Sequence, residues 1–161
     1  MGKREDAKTG KREDAKTRRR RTAAEGTQTI PVTAARLKKI QYHWDLDVYK
    51  LSVEAAMEIY ELSKSFPKEE TYSLTDQIRR SSRSVSGALA EGFRRRKYRA
   101  AFVNKVNEAE SEAAETQVWL EYCAKCQYLS KENYTRLHYK YQEIIGKLIN
   151  MGNHPQQWCL S

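Results

Sequence analysis

The chain has 161 residues, with 30 Lys and Arg against 21 Asp and Glu and a formal net charge of +9. This length has room for one ordinary domain and an arm, and two domains are not expected. Three cysteines are too few for a disulfide framework, which favours a reducing compartment. No apolar run approaches the roughly 18 residues of a membrane-spanning helix, and the N-terminus lacks the apolar segment of a signal peptide. These features predict a cytoplasmic protein that has no membrane partner.

Most of the positive charge lies in the first 43 residues, which hold 13 Lys and Arg against 5 Asp and Glu. Residues 2–9 are repeated without change at 10–17, and Arg18, Arg19, Arg20 and Arg21 follow at once. The repeat has no large apolar residue to bury, so residues 1–43 are predicted to form a disordered basic arm. Such an arm can bind nucleic acid through release of counterions, but a duplication without function would have the same composition.

Residues 44–152 carry four amphipathic segments, of which the first begins near Asp45 as its N-cap. Its apolar residues recur at steps of three and four, the period of a helix that packs on one side. Phe66 and Pro67 end it, since proline disfavours helix in the residue before it. The predicted buried side of helix one consists of Leu46, Tyr49, Val53, Ala56, Tyr60 and Ser63, with Met57 beside them.

The second helix has two contrasting faces, and Ser73 with Asp76 three residues later predicts its capped start. At about 100° per residue, Arg79, Arg80, Arg83 and Arg94 fall on the side opposite the apolar face. The run of residues 94–99 then makes the second corner of the fold, with the densest charge outside the arm. The apolar face is narrow and rich in small residues: Leu74, Ile78, Ser81, Val85, Ala88 and Gly92, widened by Leu89 and Phe93.

Helices three and four complete an all-α prediction, and no strand pattern opposes it. Ser130 is the predicted N-cap of helix four, and Gly152 its C-terminal stop. Short turns predict an antiparallel up-down-up-down four-helix bundle over 44–152, followed by a short tail at 153–161. The predicted buried residues are Phe102, Val106, Ala109, Ala113, Thr116, Leu120 and Cys123 in helix three, and Tyr134, Leu137, Tyr141, Ile144, Leu148 and Met151 in helix four.

No constellation of residues predicts catalysis or a bound cofactor. Cys123 and Cys126 have the spacing of half a zinc site, but the remaining candidates His138 and His154 lack the usual histidine pairing, and Cys123 continues the buried stripe of helix three. The glutamates of helix three lack the histidine partners that carboxylate metal bundles use. The sequence has no glycine-rich phosphate loop and no nucleophile elbow. We therefore expect a protein that is not an enzyme and holds no metal or cofactor.

Helix two also resembles that of a known family. The segment from Thr75 to Val85, with Ala90-Glu-Gly-Phe93 after it, is similar to the second helix of the four-helix-bundle proteins encoded in bacterial 23S rRNA intervening sequences. The likeness covers about residues 45–152, and Ala88 stands where the family usually has Asn. The resemblance implies a ring-shaped homopentamer, and relatives with a similar bundle serve as accessory partners of reverse transcriptases. Further matching segments are Asp45-Leu-Asp-Val-Tyr-Lys50, Phe66-Pro67 with Glu70 and Tyr72, and Glu115-Thr116.

Two functions remain open from the sequence. The first is an oligomeric module that binds RNA or DNA, RNA foremost, through phosphates and without reading sequence. The second is an oligomeric scaffold, such as an accessory subunit of a reverse transcriptase, in which helix-two arginines pair with helix-three glutamates of the same or a neighbouring subunit. A third and minor hypothesis assigns all binding of nucleic acid to the arm. The predicted phosphate-contacting residues are Arg18, Arg19, Arg20, Arg21, Arg79, Arg80, Arg83, Arg94, Arg95, Arg96, Lys97 and Arg99.

Overall fold

The computed structural model describes residues 40–160, and four α-helices account for most of them. They are α1 (Asp47–Leu62), α2 (Leu74–Arg94), α3 (Arg99–Lys125) and α4 (Lys131–Asn153). Residues 40–160 contain no strand, so the prediction of an all-α helical bundle is confirmed. Residues 1–39 of the predicted basic arm lie outside the described part of the chain. Short 3₁₀ turns occupy His43–Asp45, Ser63–Ser65, Lys68–Glu70 and Pro155–Gln157.

The buried sides of α2, α3 and α4 are the predicted ones. Every residue assigned to the apolar faces of helices two and three is buried, and of the helix-four set only Tyr134 is half-buried. Small residues bring α2 and α3 close together. Ala109 and Ala113 are fully buried, and a Cβ added to Gly92 would lie 3.1 Å from the Cβ of Lys105. The α2–α3 contact is therefore a close approach of two helix backbones.

Contacts between neighbouring helices run in opposite sequence directions. Ser63, just after α1, accepts a hydrogen bond from Arg79 near the start of α2. Lys105 near the start of α3 forms an ion pair with Glu91 near the end of α2. Antiparallel neighbours produce this register. It supports the up-down-up-down order, which stays a prediction.

A cluster of ion pairs joins α1 to α4. The Nζ of Lys140 lies 2.8 Å from Glu54 and 3.0 Å from Glu58, and the Nε of Arg136 donates to Glu58 at 2.7 Å. Burial alone would raise the pKa of Glu58, but the hydrogen bonds from Lys140 and Arg136 outweigh it and lower the pKa below its usual value. Because this carboxylate is lodged between two cations, it contributes to stability only while it is ionised.

The prediction for helix one was wrong in two respects. The helix begins at Asp47 with Leu46 as N-cap, and the Asp45 carboxylate instead accepts the N–H groups of residues 41 and 42 in the preceding turn. Of the predicted buried side, Leu46, Ala56 and Ser63 are buried, Tyr49, Val53 and Tyr60 are half-buried, and Met57 is 50% exposed. The side of α1 that faces the core shares Ala56 with the predicted side and otherwise consists of neighbouring residues with the same period. The buried residues of α1 are Val48, Ser52, Ala55, Ala56 and Ile59.

The start of α2 is capped by a different partner from the predicted one. Ser73 is the N-cap residue, but its hydroxyl donates to the carboxylate of Glu70. The same carboxylate accepts the N–H of Leu74 at 3.4 Å. Glu70 therefore takes the role predicted for Asp76, and it does so from before the helix.

Of the two predictions for the ends of α4, one is confirmed and the other is wrong. The hydroxyl of Ser130 accepts the N–H of Asn133 at 3.2 Å, so the predicted N-cap is confirmed. The predicted stop at Gly152 was wrong, because the helix continues through Asn153. Beyond it the chain folds back towards the corner between α2 and α3, where the N–H of Leu160 donates to the carbonyl of residue 96 at 3.1 Å.

Candidate nucleic-acid interface

Arg79 and Arg83 flank the ring of Tyr60 where α2 meets α1. Their guanidinium carbons lie 5.1 Å and 5.5 Å from the ring centroid, within the range of cation–π contacts. Arg79 is half-buried, and its Nε donates to the hydroxyl of Ser63 at 2.7 Å. Arg79 therefore fastens α2 to the end of α1, whereas Arg83 is exposed and open to a ligand.

Arg80 lies on the other edge of α2, towards the glutamates of α3. It is exposed and 4.0 Å from Asp76. Burial and the charges of Glu115 and Glu108 raise the pKa of Glu112, and the charge of Arg80 opposes this shift only in part. In the described residues, no arginine of α2 lies within 4.0 Å of an α3 carboxylate. The arginine–glutamate pairing of the scaffold hypothesis is therefore not made inside residues 40–160 of one chain.

The corner between α2 and α3 holds five of the predicted cations. α2 ends at Arg94, α3 begins at Arg99, and Arg95, Arg96 and Lys97 lie in the turn between them. Backbone hydrogen bonds of 2.8–3.1 Å from the N–H groups of residues 95 and 98 close this turn. All of these side chains except Arg96 are exposed. The turn thus gathers four exposed cations at one end of the bundle, and we call this surface the cationic corner.

Arg96 has a structural role at the centre of the corner. Its Nε donates to the carbonyl of Phe93 at 2.8 Å, and its guanidinium carbon lies 3.4 Å from the centroid of the Phe93 ring. Burial lowers the pKa of Arg96. A phosphate contact by this side chain would have to compete with both of these contacts.

Three cations of the corner have no carboxylate beside them. In residues 40–160, no Asp or Glu oxygen lies within 4.0 Å of Arg94, Lys97 or Arg99, and Arg95 is 3.9 Å from Glu91. A phosphate can therefore approach these three groups without displacing a carboxylate of residues 40–160, although the Nζ of Lys97 lies 5.8 Å from the ring centroid of Tyr98. The predicted Arg18, Arg19, Arg20 and Arg21 lie outside the described residues, and the structure does not place them.

Sequence reasoning missed an aromatic segment beside the corner. Residues 42 and 43 were assigned to the arm, but His43 lines a shallow depression together with Ala90, Glu91, Arg94 and Arg95. The run of three aromatic residues, Tyr42-His43-Trp44, directly before a helix was the signal that could have drawn attention to it.

The candidate zinc spacing does not form a site in the described residues. Cys123 is fully buried, and burial raises its pKa to about 12, so the thiol stays protonated at neutral pH. Cys126 is exposed. Within the described range, no three His, Cys, Asp or Glu side chains are grouped so that they could hold a metal ion. Over the same residues, no helix combines the length and the apolar composition that a membrane crossing requires.

The fold and the corner together define a helical-bundle protein with a cationic surface at one end. The family model described as 23S rRNA-intervening sequence protein matches residues 44–150, and the chain belongs to this family. A crystal structure of a protein of unknown function, from the S23 ribosomal protein family of Bacteroides thetaiotaomicron, is similar to it with 33% identity and a TM-score of 0.60. The match covers 66% of this chain and 95% of that one. No curated protein matches the chain. The family predicted from helix two is confirmed.

Proposed function

We propose that the chain is a non-enzymatic, oligomeric module that binds nucleic acid, RNA foremost, through its phosphates. The observation that carries this proposal is the set of three exposed cations, Arg94, Lys97 and Arg99, without a carboxylate within 4.0 Å in the described residues. Cations of this kind release counterions from a phosphate backbone, which gives binding that does not depend on sequence and weakens with salt.

The other predicted cations contribute unequally. Arg95 is an exposed part of the corner, and the exposed Arg80 and Arg83 extend the cationic surface along α2. Arg79 also joins α2 to Ser63, and Arg96 also binds the carbonyl of Phe93. The arm arginines at 18–21 would add further phosphate contacts. Assembly into the homopentamer expected for this family would present five copies of a weak surface and raise the overall affinity through multivalency.

The scaffold hypothesis is the second candidate, and one observation favours it. The charges of Glu115 and Glu108 raise the pKa of Glu112 on α3, and Arg80 offsets this effect only in part, while Glu108 itself lies 2.6 Å from Lys105. An arginine from a second copy could complete this neutralisation. In that case the arginines of α2 would be paired with glutamates inside the assembly, and they would not bind nucleic acid directly.

The test is binding to a structured RNA, measured by fluorescence anisotropy over a salt series, with light scattering on the same samples. The informative variant is Lys97→Glu with Arg99→Glu. The matched control is Lys68→Glu with Lys131→Glu, since each pair joins one turn residue to the first residue of a helix. All four side chains are exposed, and the control pair lies at the far ends of α2 and α3.

For each copy of the corner that the RNA contacts, we expect the log–log salt slope of the corner variant to fall by about 1.4–1.8, at about 0.7–0.9 for each lost phosphate contact. The control changes the net charge equally, so it measures the long-range effect alone. Equal weakening by both variants would refute a local site at the corner. A wild-type oligomer that binds nothing at low salt would refute the proposal, and loss of the oligomer in the corner variant would favour the scaffold.

A further inference from the structure

Two large aromatic side chains remain exposed directly before α1. The rings of Tyr42 and Trp44 stack on each other, with centroids 4.6 Å apart and planes inclined by 14°. Their exposed fractions are still 41% and 49%. The free energy gained by burying such rings is large, so exposed aromatic pairs often mark a surface that a ligand or partner covers.

The pair is held beside the cationic corner by the residue between them. The His43 ring packs edge-on against Trp44 at 4.7 Å and against Tyr49 of α1 at 4.9 Å. It also reaches Phe93, near the end of α2, at 6.4 Å. The same imidazole lines the depression that Arg94 and Arg95 border. The exposed rings and the first cations of the corner therefore belong to one continuous surface.

The two carboxylates of this surface, those of Glu91 and Asp45, already have partners within the protein. Glu91 lies 2.8 Å from Lys105 and 3.9 Å from Arg95. The Asp45 carboxylate accepts the backbone N–H groups of Gln41 at 3.0 Å and Tyr42 at 2.9 Å. Glu91 is thus paired with cations and the Asp45 carboxylate with backbone donors, and the exposed Arg94 and Arg95 give the surface next to the rings a cationic character that suits an anionic ligand.

We infer that the Tyr42–Trp44 pair and the cationic corner form one site for single-stranded nucleic acid. The corner contacts phosphates, and an unpaired base stacks on the aromatic pair. Sites for single strands combine a cationic track with aromatic platforms in this way, and they tolerate any base because every base has a flat face. A duplex keeps its bases stacked inside and offers only its backbone. This inference rests on the proposed function and narrows its ligand to single strands.

The test compares three probes of equal length on the full chain: single-stranded oligoadenylate, the corresponding abasic strand, and a duplex. The abasic strand keeps the phosphates and lacks the bases, so it separates stacking from charge. We expect oligoadenylate to bind about fivefold to a hundredfold more tightly than the abasic strand at one salt concentration. Trp44→Ala should remove most of this preference and leave the salt slope unchanged.

Two further variants sharpen the comparison. Tyr139→Ala removes a 69% exposed ring of α4, outside the corner, and should leave the preference intact. Trp44→Phe keeps a ring for stacking, so it should bind nearly as the wild type does, without the quenching of tryptophan emission that we expect when a base covers Trp44. Circular dichroism of each variant checks that its helices are formed.

The failures of the two proposals differ. Equal binding of all three probes, unaffected by Trp44→Ala, would overturn the inference and leave phosphate binding in place. No binding of any probe at low salt would overturn both. If light scattering shows that Trp44→Ala dissociates the oligomer, the Tyr42–Trp44 pair is a contact between protein copies, and the inference is overturned as well.

Discussion

Two glycines of α2 allow a direct test of how closely α2 and α3 approach. A Cβ added at Gly87 meets no atom within 4 Å, and Gly87 is exposed. Glycine inside a helix costs about 0.5–1 kcal/mol relative to alanine, because it loses more backbone freedom on folding. Gly87→Ala should therefore raise the free energy of unfolding by about 0.5–1 kcal/mol.

Gly92→Ala gains the same helix-forming free energy but meets the neighbouring helix. The new Cβ would lie 3.1 Å from the Cβ of Lys105 and 3.7 Å from the carbonyl oxygen of Phe102. Carbon atoms pack best at about 3.5–4.0 Å, and overpacking costs about 1–3 kcal/mol. Because a Cβ is fixed to its backbone, Lys105 cannot turn aside. We therefore expect the free energy of unfolding to fall, by up to about 2.5 kcal/mol.

The assay is urea unfolding followed by circular dichroism, with every variant at the same protein concentration. Gly146→Ala in α4 is a second reference, since its added Cβ also meets nothing within 4 Å. If Gly92→Ala stabilises the protein as much as Gly87→Ala does, the helices lie further apart than described and the reasoning is refuted.

Two other substitutions probe the polar groups of the bundle. Burial opposes ionisation of Glu58, but hydrogen bonds from Lys140 and Arg136 lower its pKa, so its stabilising effect is complete above the unfolded value of about 4.3 and lost as pH falls through the folded pKa. Glu58→Gln should flatten this acid-side loss in urea midpoints measured from neutral pH downwards, and an unchanged profile would contradict the assignment. The Tyr141 hydroxyl is buried and makes no hydrogen bond of normal geometry in the described residues. Tyr141→Phe should leave the free energy of unfolding unchanged or higher, whereas a loss of about 1 kcal/mol would show that the hydroxyl is bonded, for example to Thr116.

Helices two and three were predictable because only one side of each could form a core. In α3 the large apolar residues Phe102, Val106 and Leu120 share one side with Ala109 and Ala113, and all five are buried. No second stripe of the same period competed with this one. The periodicity of the sequence therefore determined the buried face without ambiguity.

Helix one was not predictable in the same way, because two stripes have the same period. The prediction favoured the stripe with larger side chains, including Tyr60 and Met57, and the core took the one with Ser52 and Ala55. The hydroxyl of Ser52 donates to the carbonyl of Tyr49 at 2.8 Å, so its burial leaves no unpaired donor. Periodicity alone does not reveal which stripe has the better partners across the bundle.

The sequence predicted which cations belong to the candidate site, but the role of each one could be assigned only from the structure. The sequence cannot show that Arg79 meets Ser63 or that Arg96 covers the ring of Phe93, because these contacts depend on tertiary packing. It also gave no reason to join Trp44 to the corner, since the two are about fifty residues apart in sequence and are brought together by the packing of His43.

The ion pairs between α1 and α4 affect how fast the bundle unfolds. Their hydrogen bonds join residues 78–86 positions apart, and closing so long a loop costs more entropy than forming the turns between successive helices. We therefore expect these ion pairs to form after the folding transition state. Contacts that form so late act mainly on the unfolding rate, and salt weakens ion pairs. We therefore expect added salt to speed unfolding more than it slows refolding in stopped-flow experiments, with a smaller effect in Glu58→Gln. The lifetime of the folded bundle would then shorten as the ionic strength rises.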